Sequence, residues 1–283
     1  MAAPRSPAPW HRRPRTNGQP GPSGFVVDAT HARTAAAVRR ALRKSASRAR
    51  AKASALFFKA GKGGYGEGDV FIGVTVPHQR RVARRFRDLP LEEAEHLLTS
   101  RTHEERLTGL LILVDRFNRS TDANDRRAIF DLYVRRLKHV NNWDLVDTSA
   151  GSIVGGWLSG KPKTLLDALA SSDNVWARRV AMLATFHDIK RGDHQAAIRM
   201  ARRLVDDPHD MIRKAVGWML REVGKRASPD ALDGFLAAHA ATMPRTTLRY
   251  AIERLPAGRR RHWLGRRDSL RTSGGHRGRS RGR

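Results

Sequence analysis

The chain reads as an all-α solenoid, antiparallel helix pairs stacked so that one concave, basic groove runs along them. Three observations predict this. Amphipathic segments of about ten to twenty residues run from Thr30 to Ile252, separated by short Pro, Gly, Asp or Ser punctuation. Arginines that open apolar runs recur at Arg106 (RLTGLLIL), Arg178 (RRVAMLAT), Arg213 (RKAVGWML) and Arg249 (RYAIERLP), at spacings of 72, 35 and 36. Halving the first spacing gives a common period near 36. Two helices and short turns at that period are the signature of a HEAT-like or armadillo-like stack. Strand character is confined to DVFIGVTV, residues 69–76, too isolated to build a sheet and read as an extended connector.

The elements follow in order. Thr30 caps a first helix through the Ala/Arg-rich run to residue 54. Pro77 suits a first helical turn and opens a helix over 77–86. Further helices are expected over 91–99, 103–117, 123–138, 143–158, 162–170, 175–190, 195–205, 208–225, 229–239 and 244–255. In DDPHDMIRKAV, Asp-Pro at a helix start and an apolar–Arg pair one turn later fit the second helix of a HEAT unit.

Charge narrows the function classes. With 55 Lys+Arg against 27 Asp+Glu, the net charge is +28 over 283 residues. Residues 1–24 hold four Arg, six of the thirteen Pro and no acid, while 257–283 hold ten Arg against Asp268. That leaves +15 on the body, which is basic in its own right. Residues 1–29 read as a disordered Pro/Arg-rich tail and 265–283 as a disordered Arg/Gly-rich tail, bracketing a domain at 30–264. Such a tail solubilises the chain or touches phosphates without ordering. The balance favours a polyanion, nucleic acid first. No apolar run approaches the roughly 20 residues that cross a bilayer, so no membrane partner is expected. There is no Cys, which removes disulfides, thiol catalysis and thiolate-held metals.

The repeat skips one register, at Asn142, inside HVNNWDLVDTSAG. There the usual apolar positions give way to Trp143, Asp144 and Asp147. Trp143 and Asp147 are i and i+4 and share a face. Counting on by 36 and 35 places Arg179 and Lys214 in the register of Trp143, and Trp218 in that of Asp147. Tyr250 and Arg254 continue both rows. The arithmetic predicts a groove lined by Trp143, Asp147, Arg179, Lys214 and Trp218. Two indoles offer electron-rich faces to a sugar, base or cation. Basic side chains beside them suit phosphates. A lone carboxylate in such a groove is either an ion-pair partner, most simply of Arg179, or a reacting group. Trp157 and Trp176 read as core, and Asp144 as an early-turn acid facing the helix dipole.

The stretches YGEGDVFIGVTVP (65–77), HEERLTGLLILV (103–114), NNWDLVDTSAGSIVG (141–155), WARRVAMLATF (176–186), AVGWMLREVGKR (215–226) and MPRTTLRYAIERLP (243–256) closely resemble the bacterial DNA alkylation repair family of the AlkD type. The resemblance covers residues 38 to 264. It implies a HEAT-like solenoid acting as a DNA glycosylase on N3- and N7-alkylated purines, with duplex DNA carrying such bases as partner and no cofactor. It implies that Asp147 is the catalytic acid residue, that Trp143 and Trp218 flank the lesion, and that Arg179 contacts the backbone. Lys214, Tyr250 and Arg254 extend the DNA-binding surface. An aromatic near the first helices stacks at the lesion in this family. Here Phe57, Phe58 and Tyr65 compete for that place, with Phe57 and Tyr65 favoured. No lysine stands in the register of Asp147, so no Schiff-base step is expected.

No metal site is expected either. The His187-Asp188 and Asp193-His194 pairs flank a Gly turn and read as surface caps. A monomer at the nucleoid in the bacterial cytoplasm is expected, since a solenoid that wraps a duplex gives its concave side to DNA. A non-catalytic HEAT protein that binds damaged or structured nucleic acid is the alternative reading, and a protein-interaction solenoid a third. Sequence leaves open whether RNA is also bound.

Overall fold

The structure is a computed structural model describing residues 33–274, with side chains described for 33–266. The tail readings for 1–29 and for 275–283 lie outside the described residues. Among those described, every regular element is helical, and a single isolated parallel bridge joins Val70 to Thr102. The helices are α1 Ala35–Arg43, α2 Arg48–Phe57, α3 Val76–Arg85, α4 Leu91–Leu98, α5 His103–Arg119, α6 Ala123–Arg135 and α7 Trp143–Ala150. There follow α8 Thr164–Ala170, α9 Val175–Ala184, α10 Gln195–Leu204, α11 Asp210–Arg226, α12 Pro229–His239, α13 Arg245–Ile252 and α14 Ala257–Gly274.

Helices α5, α7, α9, α11 and α13 pack each on the next and form one row. They begin at residues 103, 143, 175, 210 and 245, so four steps cover 142 residues, 35.5 each. The register the repeat skips is therefore occupied, by α7. Helices α4, α8 and α10 pair with α5, α9 and α11, and α12 also packs on α11. The row carries the core: Leu110, Leu145, Val180, Val216 and Leu248, one from each helix, are fully buried. Each such side chain contributes about 1.5–3 kcal/mol by leaving water.

Glycine sets how closely the row packs. A Cβ at Gly217 on α11 would lie 2.5 Å from both the Cβ of Tyr250 and the carbonyl oxygen of Thr247. Only a bare backbone lets α11 and α13 approach so far.

Several expected helices are broken, each for a local reason. The single helix expected over 30–54 is two. Thr34 caps α1, its Oγ1 accepting from the Ala37 amide at 3.3 Å; Thr30, the expected cap, lies outside the described residues. Ser47 leaves the helical path, accepts from the Arg50 amide and donates its own N–H to the Ile72 carbonyl at 2.9 Å. The helix expected over 123–138 ends at Arg135 and tightens into a 3₁₀ turn, Leu137–His139. That over 143–158 widens into a π turn at Gly151–Gly155 before Gly156–Leu158. That over 175–190 breaks at buried Thr185, whose hydroxyl donates to the Met182 carbonyl at 2.7 Å, and resumes as Phe186–Ile189. Helix α14 runs past residue 264, where the sequence reading ends the body.

The connector at 69–76 is extended, and buried acids pin it. The Glu104 carboxylate accepts amide hydrogens from Ile72, Gly73 and Val74 at 3.1, 2.7 and 3.3 Å. Gly73 takes φ +77, and a Cβ there would lie 2.2 Å from the Ser47 carbonyl oxygen. No described helix is long and apolar enough to cross a membrane.

Candidate functional site

Asparagine caps aim the site. The Asn142 side chain accepts from the Trp143 amide at 2.8 Å, and the Asn174 side chain from the Trp176 amide at 2.8 Å. His209 Nδ1 accepts from the Met211 amide at 3.2 Å. Five residues after these caps stand Asp147, Arg179 and Lys214. These three thus share a register, so a lysine does stand in that of Asp147, against expectation, because the step between the helices is one turn shorter than assumed; its ammonium is held by Asp210. Trp218 lies one turn beyond Lys214. The register arithmetic paired Arg179 with Trp143 instead. The step from α7 to α9 is 32 residues rather than 36, a difference of one helical turn, which changes the row but keeps the face.

One cavity of about 340 Å³ collects them: Trp143, Asp147, Arg179, Lys214, Trp218 and Tyr250 line it, with Phe57, Tyr65 and Met211. Of the residues expected at the site, Arg254 does not join. It lies beyond Ile252, where α13 ends, so the helical register no longer carries it to this face, and it is exposed. Sequence reasoning missed Met211, which contributes through its backbone and has no polar side chain to signal it. Phe58, a candidate for the lesion, lies behind Trp143 instead, the rings 5.4 Å apart and nearly parallel. Phe57 is 65% exposed, and its ring meets Trp143 edge-on at 6.0 Å. Tyr65 donates from its hydroxyl to the Phe57 carbonyl at 3.3 Å and packs against Trp176.

Asp147 and Arg179 form a bidentate pair. Arg179 Nε and Nη2 each donate to one Asp147 carboxylate oxygen at 2.8 Å, and Nη1 donates to the Met211 carbonyl. The Arg179 side chain is 6% exposed and that of Asp147 18%. Arg179 was expected at the phosphate backbone. Here its guanidinium has three nitrogens engaged inside the protein, two by Asp147 and one by the Met211 carbonyl. Burial pushes the Asp147 carboxyl above its ordinary value, Arg179 pulls it back, and the Asp144 carboxylate adds to the rise. Each carboxylate oxygen keeps a second lone pair for a water or a positive charge in the cavity. Lys214, half-exposed, donates to Asp210 at 2.7 Å, and that carboxylate holds the ammonium above its ordinary value.

A second layer fixes Trp143. Buried His103 points Nδ1 at Asp69 Oδ2, 2.9 Å away, and Nε2 at Asp144 Oδ2, 2.8 Å away. Arg106 donates to the other Asp69 oxygen at 2.6 Å. Burial alone would lower His103, but the two carboxylates outweigh it and the net shift is upward. Asp144 therefore does more than face the helix dipole. The imidazole also touches Phe58 and Phe71, at 4.8 and 4.7 Å. This cluster joins the connector, α5 and the start of α7 behind the indole. Nothing in the residue pattern signals it: HEER is only the start of the helix expected over 103–117, yet all four side chains are buried.

The other expectations divide. Trp176 is buried, as read, whereas Trp157 is half-exposed and lines a separate cavity. Asp188 pairs with Lys163 at 2.8 Å.

The family model described as DNA alkylation repair enzyme matches residues 38–255. A solved structure described as a predicted DNA alkylation repair enzyme from Enterococcus faecalis superposes with a TM-score of 0.60 at 16% identity, covering 75% of this chain and 98% of that one. That likeness speaks to the fold. No curated protein matches. The family model spans most of the chain and contains every helix of the site's row, and on that match the chain belongs to the DNA alkylation repair enzyme family.

Proposed function

We propose that the chain is a HEAT-like solenoid whose concave basic groove binds duplex DNA, and that it is a monofunctional glycosylase for cationic N3- and N7-alkylated purines. The observation that carries the reading is the Asp147 carboxylate, braced by Arg179 and opening into a cavity between two indoles. Alkylation at N3 or N7 puts a positive charge on the purine and weakens its bond to C1′. The base then departs with the bonding pair and needs no proton. Positive charge builds on the sugar as it leaves. Asp147 faces that charge and orients the water that adds to C1′, whose released proton goes to solvent. Trp143 and Trp218 present their ring faces to the same cationic sugar. Arg179 positions the acid. Lys214 and Tyr250 meet the flanking strand, and Phe57 and Tyr65 close the cavity on the side of α2. The products are an abasic site and a free base. We place the activity in a monomer at the bacterial nucleoid.

The test is a panel of duplexes carrying N7-methylguanine, N3-methyladenine or a neutral lesion. Excision confined to the cationic bases is expected, because nothing in the cavity activates a neutral leaving group. Equal action on neutral lesions overturns the mechanism. One observation favours a second reading, a non-catalytic binder of damaged DNA: both Asp147 oxygens are already engaged by Arg179.

A further inference from the structure

A second cavity, of about 390 Å³, shares no residue with the first. It lies at the opposite end of the α7 segment, between the start of α6, the Gly156–Leu158 turn and the turn after Phe186–Ile189. Arg126, Trp157, Lys161, His187 and Arg191 line it, and no carboxylate does. A cavity bounded by Arg87, Arg116 and Arg119 differs in kind, since Asp88 and Asp125 line it too and Arg116 and Arg119 pair with them.

Among the described residues, Arg126, Lys161 and Arg191 pair with no carboxylate. Aromatic rings hold two of them in place. The Arg126 guanidinium lies over Phe117, 4.4 Å from its centroid, and its Nε is buried without a hydrogen-bond partner. The Lys161 ammonium sits 3.0 Å from the centroid of Trp157, whose ring stacks on Phe130 at 5.6 Å. A Cβ at Gly156 would come 2.8 Å from the Phe117 ring, so the floor admits no larger residue. Unpaired cations gathered around one cavity repel one another, and an anion relieves that repulsion while supplying the acceptors their N–H groups lack.

We propose that this cavity is a phosphate-binding site, with Lys161 and Arg191 at its rim and Arg126 deeper. The same tetrahedral oxyanion has two sources, a backbone phosphate of a nucleic acid strand distant from Asp147, or free phosphate. The proposal does not require base excision.

The test compares wild type with the double variant Lys161→Gln/Arg191→Gln. Both residues are exposed, so the fold is retained. A control, Arg202→Gln/Lys225→Gln, removes the same charge at exposed positions elsewhere. Calorimetry with inorganic phosphate and anisotropy with an undamaged duplex over a salt series give the two readouts. If the occupant is a strand, the double variant loses about tenfold more duplex affinity than the control, and its log–log salt slope falls by about 0.9 per lost phosphate. If it is free phosphate, calorimetric binding disappears in the double variant while duplex affinity matches the control. Wild type that binds no inorganic phosphate, together with duplex affinities equal in the double variant and control, overturns the proposal.

Discussion

Asp147 and Arg179 stand in the same register of neighbouring helices, 32 residues apart, and both carboxylate oxygens accept from the one guanidinium at 2.8 Å. The pair holds the acid in one orientation while burial raises its proton affinity. The guanidinium opposes that rise.

Arg179→Gln removes that pull. The Asp147 carboxyl then rises further, so the acid limb of the single-turnover pH–rate profile moves to higher pH. Excision at neutral pH falls about 10- to 100-fold from lost orientation. A variant whose profile is merely scaled down, with no shift of the limb, contradicts the positioning role.

The register explains what was legible in the sequence. Period arithmetic brought Trp143, Asp147, Arg179, Lys214 and Trp218 to one surface although it assumed a step of 36 where α7 and α9 differ by 32. An error of one turn leaves a residue on the same helical face. The same arithmetic failed for Arg254, because a register holds only while the helix lasts and α13 ends at Ile252. The helix breaks at Ser47 and Thr185 were hidden because they depend on hydroxyl hydrogen bonds that compete with the ladder. The His103 cluster was hidden because its partners, Asp69 and Asp144, meet only through tertiary packing.

That cluster makes stability depend on pH. His103 is raised above its ordinary 6.5, so its contribution is full below that value and is lost as pH rises through the higher folded value. Asp69 is lowered from 3.8: burial opposes, but His103 and Arg106 prevail. Its contribution is present above 3.8 and is lost on acidification. His103→Gln should lower stability by about 3 kcal/mol at pH 6 and flatten the alkaline decline. Thermal unfolding from pH 5 to 10 checks this, and an alkaline decline unchanged in the variant contradicts it.

Gly217→Ala places a methyl 2.5 Å from Tyr250 and Thr247. It should cost about 2 kcal/mol and push α13 away from α11, moving Tyr250 from the cavity. Chemical denaturation measures the first effect. Duplex affinity measures the second and should fall with it.

Trp218→Ala should slow excision of N7-methylguanine about thirtyfold, the rate equivalent of about 2 kcal/mol of lost cation–π stabilisation. Trp218→Phe should recover part of the loss. Equal rates for the alanine and phenylalanine variants show that the ring face is not used.

If Asp147 takes part in breaking the glycosidic bond, removing its charge must slow excision without loosening the DNA. Single-turnover excision of N7-methylguanine from a duplex by Asp147→Asn, with binding of the same duplex measured in parallel, tests it most directly. A loss of about a hundredfold or more in the excision rate, with binding retained, is expected. Excision near the wild-type rate with binding intact contradicts it and leaves the chain a reader of damaged DNA rather than an enzyme that acts on it.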